Sequence, residues 1–385
     1  MIGASGIRRV QEEAIAYPTQ SRISRFAHRV THWWSSNGAP KTYSVAVVTP
    51  TLQGGGAERW AASMAKCLNG DGVSCCGLVV LNTAHVADSS LSRRIRGECP
   101  LLTPQSDLTD VLQSDAIIMW GVGKLPKQFN GYRGRIIYAC HSASPDHAKV
   151  LRDAIEHCTD IAAVSSKAAS IVPSEVDCTI IHNGVDLARC EALIPWEYTR
   201  AIWGAGEDDI LVAYIGGCHA QKHLEVIAEA CALLEERYRP VYIGAMTLCN
   251  ECRLDEINPR SIFTGYVSHI GDALAAVDVV CLLSDTEAMS LALCEAWAAK
   301  VPTICTNVGA ITELQERFGE ITRIVKSPAT ARDVAKAITL AMSLENDAVI
   351  SRAKKMAREY CSEEAMGRRW RAFIRTVMHK AVTHD

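Results

Sequence analysis

Two glutamates with seven residues between them, Glu287 and Glu295, flank a change from strand-like to helix-like sequence. The apolar run at 279–283 predicts a buried parallel strand. A short polar turn follows, then a helix from about Ser290, then a strand over 303–306. A strand–turn–helix of this kind leaves backbone N–H groups at a positive helix end, just beyond a strand's C-terminal edge. That is a seat for a phosphate. Carboxylates beside it can accept hydrogen bonds from sugar or ribose hydroxyls. Either glutamate alone is also what an ordinary βαβ unit with solvated carboxylates would show.

Three other clusters have the residue types for chemistry. Gln53-Gly54-Gly55-Gly56-Ala57-Glu58-Arg59 lies between a strand at 43–49 and a helix at 57–68. Its glycines allow a ligand close to backbone N–H groups at a helix start. The spacing is not the GxGxxG of a dinucleotide site. Lys222, with His223 beside it, is expected at the start of a helix over 221–236. A cation opposes the dipole there by a few tenths of a kcal/mol, and a bound phosphate would reverse that penalty. A solvated lysine is the plain alternative. His141 directly follows a strand at 136–139, where it can donate to a hydroxyl or an oxyanion, or be a satisfied structural histidine.

The elements that must position these residues alternate along the chain. Strands are expected at 43–49, 78–81, 116–120, 136–139, 161–164 and 179–181, with helical segments between some of them. The pattern restarts with strands at 210–215, 240–243 and 261–263 and a helix at 271–276, followed by the glutamate block and a helical tail from about 330. This is an α/β chain of two doubly wound Rossmann-like domains facing a cleft at the strand C-terminal ends. The expected divisions are an N-terminal extension (1–40), a first domain (41–188), a second domain (189–360) and a C-terminal helix (361–385) whose Trp370, Phe373, Ile374, Val377 and Met378 pack back on a domain face.

The 385 residues suffice for two domains of ordinary size. No run approaches the roughly 18 apolar residues of a spanning helix, and the N-terminus lacks an apolar signal-peptide core, so a cytoplasmic protein is expected. The 16 cysteines are scattered. Cys140, Cys281, Cys294 and Cys305 fall within apolar patterns, as small buried hydrophobes do. Cys249 and Cys252 form a lone CxxC with no matching pair for zinc, and no metal is expected. Net charge is −3, but 1–150 carry 16 Lys+Arg against 10 Asp+Glu, and the remainder 24 against 33. A basic first half suits an anionic partner. Ile23, Phe26, Ala27, Val30, Trp33 and Trp34 recur at helical spacing within 22–34, with arginines and histidines opposite. That pattern fits a helix lying on an anionic membrane or docked on the protein itself.

Taken together these pieces resemble one family. The Gly-Gly-Ala-Glu-Arg turn, His141, Val164-Ser165, His182-Asn183-Gly184-Val185-Asp186, Gly216 with Lys222, Phe263-Thr264-Gly265-Tyr266-Val267 and the glutamate block ending in Asn307-Val308-Gly309 occur in order. The chain is similar, over about 43–375, to GT-B glycosyltransferases of the large retaining group that uses nucleotide sugars, family 4 and relatives. The resemblance implies that Glu295 holds ribose hydroxyls and Glu287 donor-sugar hydroxyls. Backbone N–H groups of Ala288, Met289, Ser290 and Leu291 would meet the phosphates, and Lys222 would neutralise the departing diphosphate. Tyr266 and Val267 would border the base. His141 and Gly54, Gly55 and Gly56 would face sugar and acceptor. It implies no cofactor beyond a nucleotide-sugar co-substrate, a UDP-sugar by default, and retention by a front-face mechanism.

The sequence departs from the pattern where an arginine usually follows the strand–turn glycine. Gly217 stands there, with His219 or Arg59 as substitutes. Ala288 and Lys300 also replace common glycines. Three functions follow. One is a hexosyl-type transferase building a glycan or glycolipid. The second is a transferase acting on modified bases of DNA, suggested by Lys124, Lys127, Arg133 and Arg135, with Arg93, Arg94 and Arg96. The third is a catalytically weak sugar-nucleotide binder.

Overall fold

The computed structural model describes residues 42–53, 55–82, 90–95, 97–144, 147–343 and 346–380. The basic stripe at 22–34 and the linker at 35–40 lie outside the described residues. So do Gly54 and Arg96, and the Arg93 and Arg94 side chains.

Short runs rich in Val, Ile and Ala form the central strands, because positions there are buried on both faces of each sheet. The first sheet comprises β1 (Tyr43–Thr49), β2 (Val73–Val80), β3 (Leu101–Leu102), β4 (Ala116–Met119), β5 (Arg135–Cys140), β6 (Asp160–Ala163) and β7 (Cys178–Ile180). Its order is β3-β2-β1-β4-β5-β6-β7. The second comprises β8 (Ile210–Ile215), β9 (Tyr238–Ile243), β10 (Ile262–Gly265), β11 (Val279–Leu282), β12 (Thr303–Thr306) and β13 (Arg323–Val325), in the order β10-β9-β8-β11-β12-β13. All the pairings within both sheets are parallel. These are the two doubly wound α/β domains expected. Each order reverses beside its first strand, between β1 and β4 and between β8 and β11. Ligands of such sheets bind at that switch point, outside the strand C-termini.

Two edge strands, β3 and β13, escape the sequence reading because two or three residues show no periodicity. The helix expected over 221–236 is also corrected. A 3-10 turn, Ala220–Lys222, ends at His223, which adopts φ +49°, and the α-helix runs only over Leu224–Ala232. Lys222 therefore sits on a turn before the helix.

Cys140, Cys281, Cys294 and Cys305 are buried in the cores, and burial pushes the Cys305 thiol up to about 12. Cys249 and Cys252 are exposed on the helix Leu248–Ile257. Among the described residues no three His, Cys, Asp or Glu side chains are grouped so as to hold a metal, and no helix is long and apolar enough to cross a membrane.

The final helix, Glu363–His379, buries Met366, Trp370, Ile374 and Val377 in the first domain's core, with Phe373 and Met378 packed beside them. Trp370 meets Trp60 with ring centroids 5.8 Å apart. Arg371 fixes the helix by donating to Asp71 at 2.9 Å and to the Cys67 carbonyl. The chain thus crosses between domains twice, at 183–195 and near Ser362. The crossings pair side by side: Val185 N–H donates to Cys361 O at 2.8 Å, and Glu363 N–H to Val185 O at 2.9 Å.

Candidate functional site

Loops following β1, β5, β8 and β11 converge on a cleft of about 480 Å³. The described residues expected to bind donor or act on it line the cleft: Gly55, Gly56 and His141 from the first domain, and Lys222, Tyr266, Val267, Glu287, Ala288, Met289, Ser290, Leu291 and Glu295 from the second. Arg59, Asn183, Gly217 and His219 line it too.

The strand–turn–helix after β11 is built as a phosphate seat requires. Ser290 caps the helix Leu291–Ala298, its Oγ accepting from Leu293 N–H at 3.4 Å. The first N–H groups of such a helix have no intrahelical partner. The preceding loop is supported from below. Gly309 adopts φ +60°, and a β-carbon there would come within 2.6 Å of the Ala288 carbonyl oxygen. This accounts for the Asn307-Val308-Gly309 element. Ala288 is not among the residues with positive φ, so alanine stands there without backbone strain.

Lys222 Nζ forms an ion pair with Glu287 Oε1, which also accepts from Ser284 Oγ at 2.9 Å. A second link, from His223 Nε2 to Asp285 Oδ1 at 2.7 Å, ties the Lys222 turn to the glutamate loop. That clamp was not read from the sequence, because only folding places positions 223 and 285 side by side. Arg59, on the helix Gly56–Cys67, reaches across the cleft. Its Nη1 lies 3.6 Å from Glu295 Oε1. Both cations lining the cleft therefore face a glutamate.

In the glycine turn, the Glu58 carboxylate folds back to accept from Gly55 N–H and Thr51 Oγ1. The sequence offered no serine or threonine cap to signal this. One N–H of the turn is thus already used. Beside Gly217, the His219 Nε2 lies 3.5 Å from where a β-carbon would stand.

His141 packs against Trp60 and Trp120, with ring centroids 4.2 and 6.2 Å away. Burial pushes its pKa down to about 3, so the imidazole is neutral near pH 7. Its Nε2 has no hydrogen-bond partner among the described residues. Asn183 Oδ1 is likewise buried and unpartnered, while Asn183 N–H donates to the Met289 sulfur at 3.1 Å. Leaving such a buried polar atom unpaired costs about 1–3 kcal/mol. The Asn-Gly-Val-Asp element thus touches the glutamate loop from the interdomain crossing. Next to it, His182 bridges Tyr360 Oη (2.9 Å) and Glu313 Oε1 (3.0 Å). Burial pushes the Glu313 carboxyl up, but hydrogen bonds from His182 and Ser166 outweigh it and hold the group below its usual value.

Part of the expected basic surface is structural. Arg135 is buried, donating to Asp160 at 2.9 Å and to the Lys380 carbonyl. Lys124, Lys127 and Arg133 are exposed.

Residues 209–343, which carry β8 to β13 and the glutamate block, match the model of the family described as glycosyl transferases group 1. That segment makes up most of the second domain. Proteins similar to this chain include the "putative teichuronic acid biosynthesis glycosyltransferase TuaC" of Bacillus subtilis. It is 28% identical over 196 residues, which are 50% of this chain and 49% of that one. The "N-acetyl-alpha-D-glucosaminyl L-malate synthase" of Bacillus anthracis is 26% identical over 207 residues, 49% and 54% of the two chains. The matched segments span about half the length of these curated relatives. Among solved structures, Anabaena Alr3699/HepE in complex with UDP-glucose superposes with a TM-score of 0.71 at 16% identity, over 87% of this chain and 100% of that one. WaaG, described as a glycosyltransferase involved in lipopolysaccharide biosynthesis, gives 0.62 at 14% identity, over 86% and 99%. At such identities these structures show a shared GT-B fold.

Proposed function

We propose that the chain is a hexosyl-type glycosyltransferase that moves a sugar from a nucleotide-sugar donor, a UDP-sugar, to a hydroxyl of a glycan or lipid acceptor. The observation that carries this reading is the convergence of the Ser290-capped helix start, Glu287, Glu295 and Lys222 on one cleft. The group 1 match and the UDP-glucose-bound neighbour support it.

In this reading Glu295 accepts from the ribose hydroxyls and Glu287 from the donor sugar. The N–H groups around Ala288, Met289, Ser290 and Leu291 meet the diphosphate, and Lys222 neutralises it as it departs. Tyr266 and Val267 border the base. Preorganised positive groups aimed at a developing anion lower its barrier by about 3–4 kcal/mol per donor. Neutral His141, with its unpartnered Nε2, hydrogen-bonds a sugar hydroxyl, and the Gly55–Gly56 backbone faces the acceptor. Both glutamates lining the cleft are held by cations, which disfavours either as a covalent nucleophile. With no carboxylate assigned as nucleophile, we propose the retaining, front-face course that the family resemblance implies. The acceptor oxygen bonds the anomeric carbon on the face the phosphate leaves, and the acceptor proton passes to the departing phosphate oxygen.

A thermal-shift screen against UDP-, GDP- and ADP-sugars tests the donor site, since saturation at a hundred times Kd stabilises the fold by about 2.7 kcal/mol. Sugar transfer or donor hydrolysis with the best ligand should fall about 100-fold or more in Glu287→Gln. Absence of a shift with every donor would overturn the reading, and undiminished turnover in Glu287→Gln would remove that residue's role.

A further inference from the structure

We propose that Arg59, from the first domain, is the second cation of the donor diphosphate and rests on Glu295 until the nucleotide arrives. The inference builds on the donor site proposed above. The diphosphate of a nucleotide sugar is negatively charged on both of its phosphates. Among the described residues lining the cleft, the Lys and Arg side chains are Lys222 and Arg59. Position 217, at the β8 turn, has no side chain to contribute.

Each of these two cations faces a glutamate, so the four charges cancel before the ligand enters. The two pairs differ in kind. Lys222 and Glu287 are in direct hydrogen-bonding contact and are held further by Ser284. Arg59 Nη1 stands 3.6 Å from Glu295 Oε1, beyond the roughly 2.7–2.9 Å of a charge-assisted hydrogen bond. The Arg59 and Glu295 side chains are 19% and 9% exposed, so little water screens them. Ribose hydroxyls entering at Glu295 take up its acceptor positions and leave it charged. The guanidinium then moves along the cleft to the phosphates, where its planar fork binds oxygen pairs.

Calorimetry on the full chain separates diphosphate from nucleoside. The best binder among UDP, ADP and GDP is titrated beside its own nucleoside against wild type, Arg59→Gln, Arg59→Lys and His219→Ala, each checked for an unchanged thermal transition. Arg59→Gln should weaken the diphosphate about 10–100-fold. It should leave nucleoside binding unchanged or tighter, because Glu295 loses its resident cation. Arg59→Lys should restore part of the loss. An equal loss for both ligands, no loss at all, or a diphosphate-specific loss in His219→Ala but not in Arg59→Gln would overturn the role of Arg59 while the donor site stands. If wild type binds no nucleoside diphosphate, the donor site and Arg59's role fall together.

Discussion

A β-carbon on Gly184 would lie 2.3 Å from the Ser362 carbonyl oxygen. No other residue type lets the two interdomain crossings run in contact, with Val185 bonded to Cys361 and Glu363 on either side. The same crossing holds Asn183 against Met289. The crossing thus touches both the C-terminal return and the glutamate loop.

Gly184→Ala should accordingly be destabilising, because the contact is to backbone that has nowhere to yield. Overpacking of this kind costs about 1–3 kcal/mol. A lower denaturant midpoint with an unchanged slope is the expected result. A midpoint equal to that of wild type would show that the crossings can separate freely.

His141 should make the protein labile to acid. Burial holds its folded pKa at about 3, below the roughly 6.5 of an exposed histidine. Between those values the unfolded chain binds a proton that the folded chain refuses. Stability from this site is complete above about pH 6.5 and is lost as pH falls toward 3. His141→Gln should flatten the decline of Tm between about pH 6.5 and 4. Parallel wild-type and variant profiles would contradict the burial argument. Because His141 stays neutral, its titration should also be absent from the pH–rate profile around neutrality.

Lys300 follows the helix Leu291–Ala298 with φ +67°, where a side chain clashes with its own carbonyl. A left-handed residue other than glycine costs about 1–2 kcal/mol. Lys300→Gly should recover about 1 kcal/mol of that, offset by the greater freedom of glycine in the unfolded chain. The check is a higher midpoint for unfolding of the second domain with unaltered nucleotide binding. A lower midpoint would mean that the lysine side chain stabilises the helix end by more than its backbone strain.

Much of the molecule was legible in the residues alone. The strands β1, β8 and β12 can be read to the residue, because buried parallel strands are unbroken apolar runs. The chemistry of Glu287, Glu295, Ser290 and Lys222 announces itself by residue type beside a strand end. What position in the chain could not reveal is which charges meet. Arg59 and Glu295 are 236 positions apart in sequence, and no local preference couples them. The burial of Arg135, which looked like part of a basic surface, depends equally on Asp160 and on the return of the last helix to the first domain.

The sequence by itself determined two doubly wound sheets and the loops at their switch points, since hydrophobic period and turn chemistry are local properties. Tertiary structure alone decided that the loops share one cleft and that each cation there faces a glutamate. It also decided that the His141 ring packs against two tryptophans with its Nε2 out of solvent, which keeps it neutral. Ion pairing and desolvation depend on distances across the chain, and those exist only once the domains have packed.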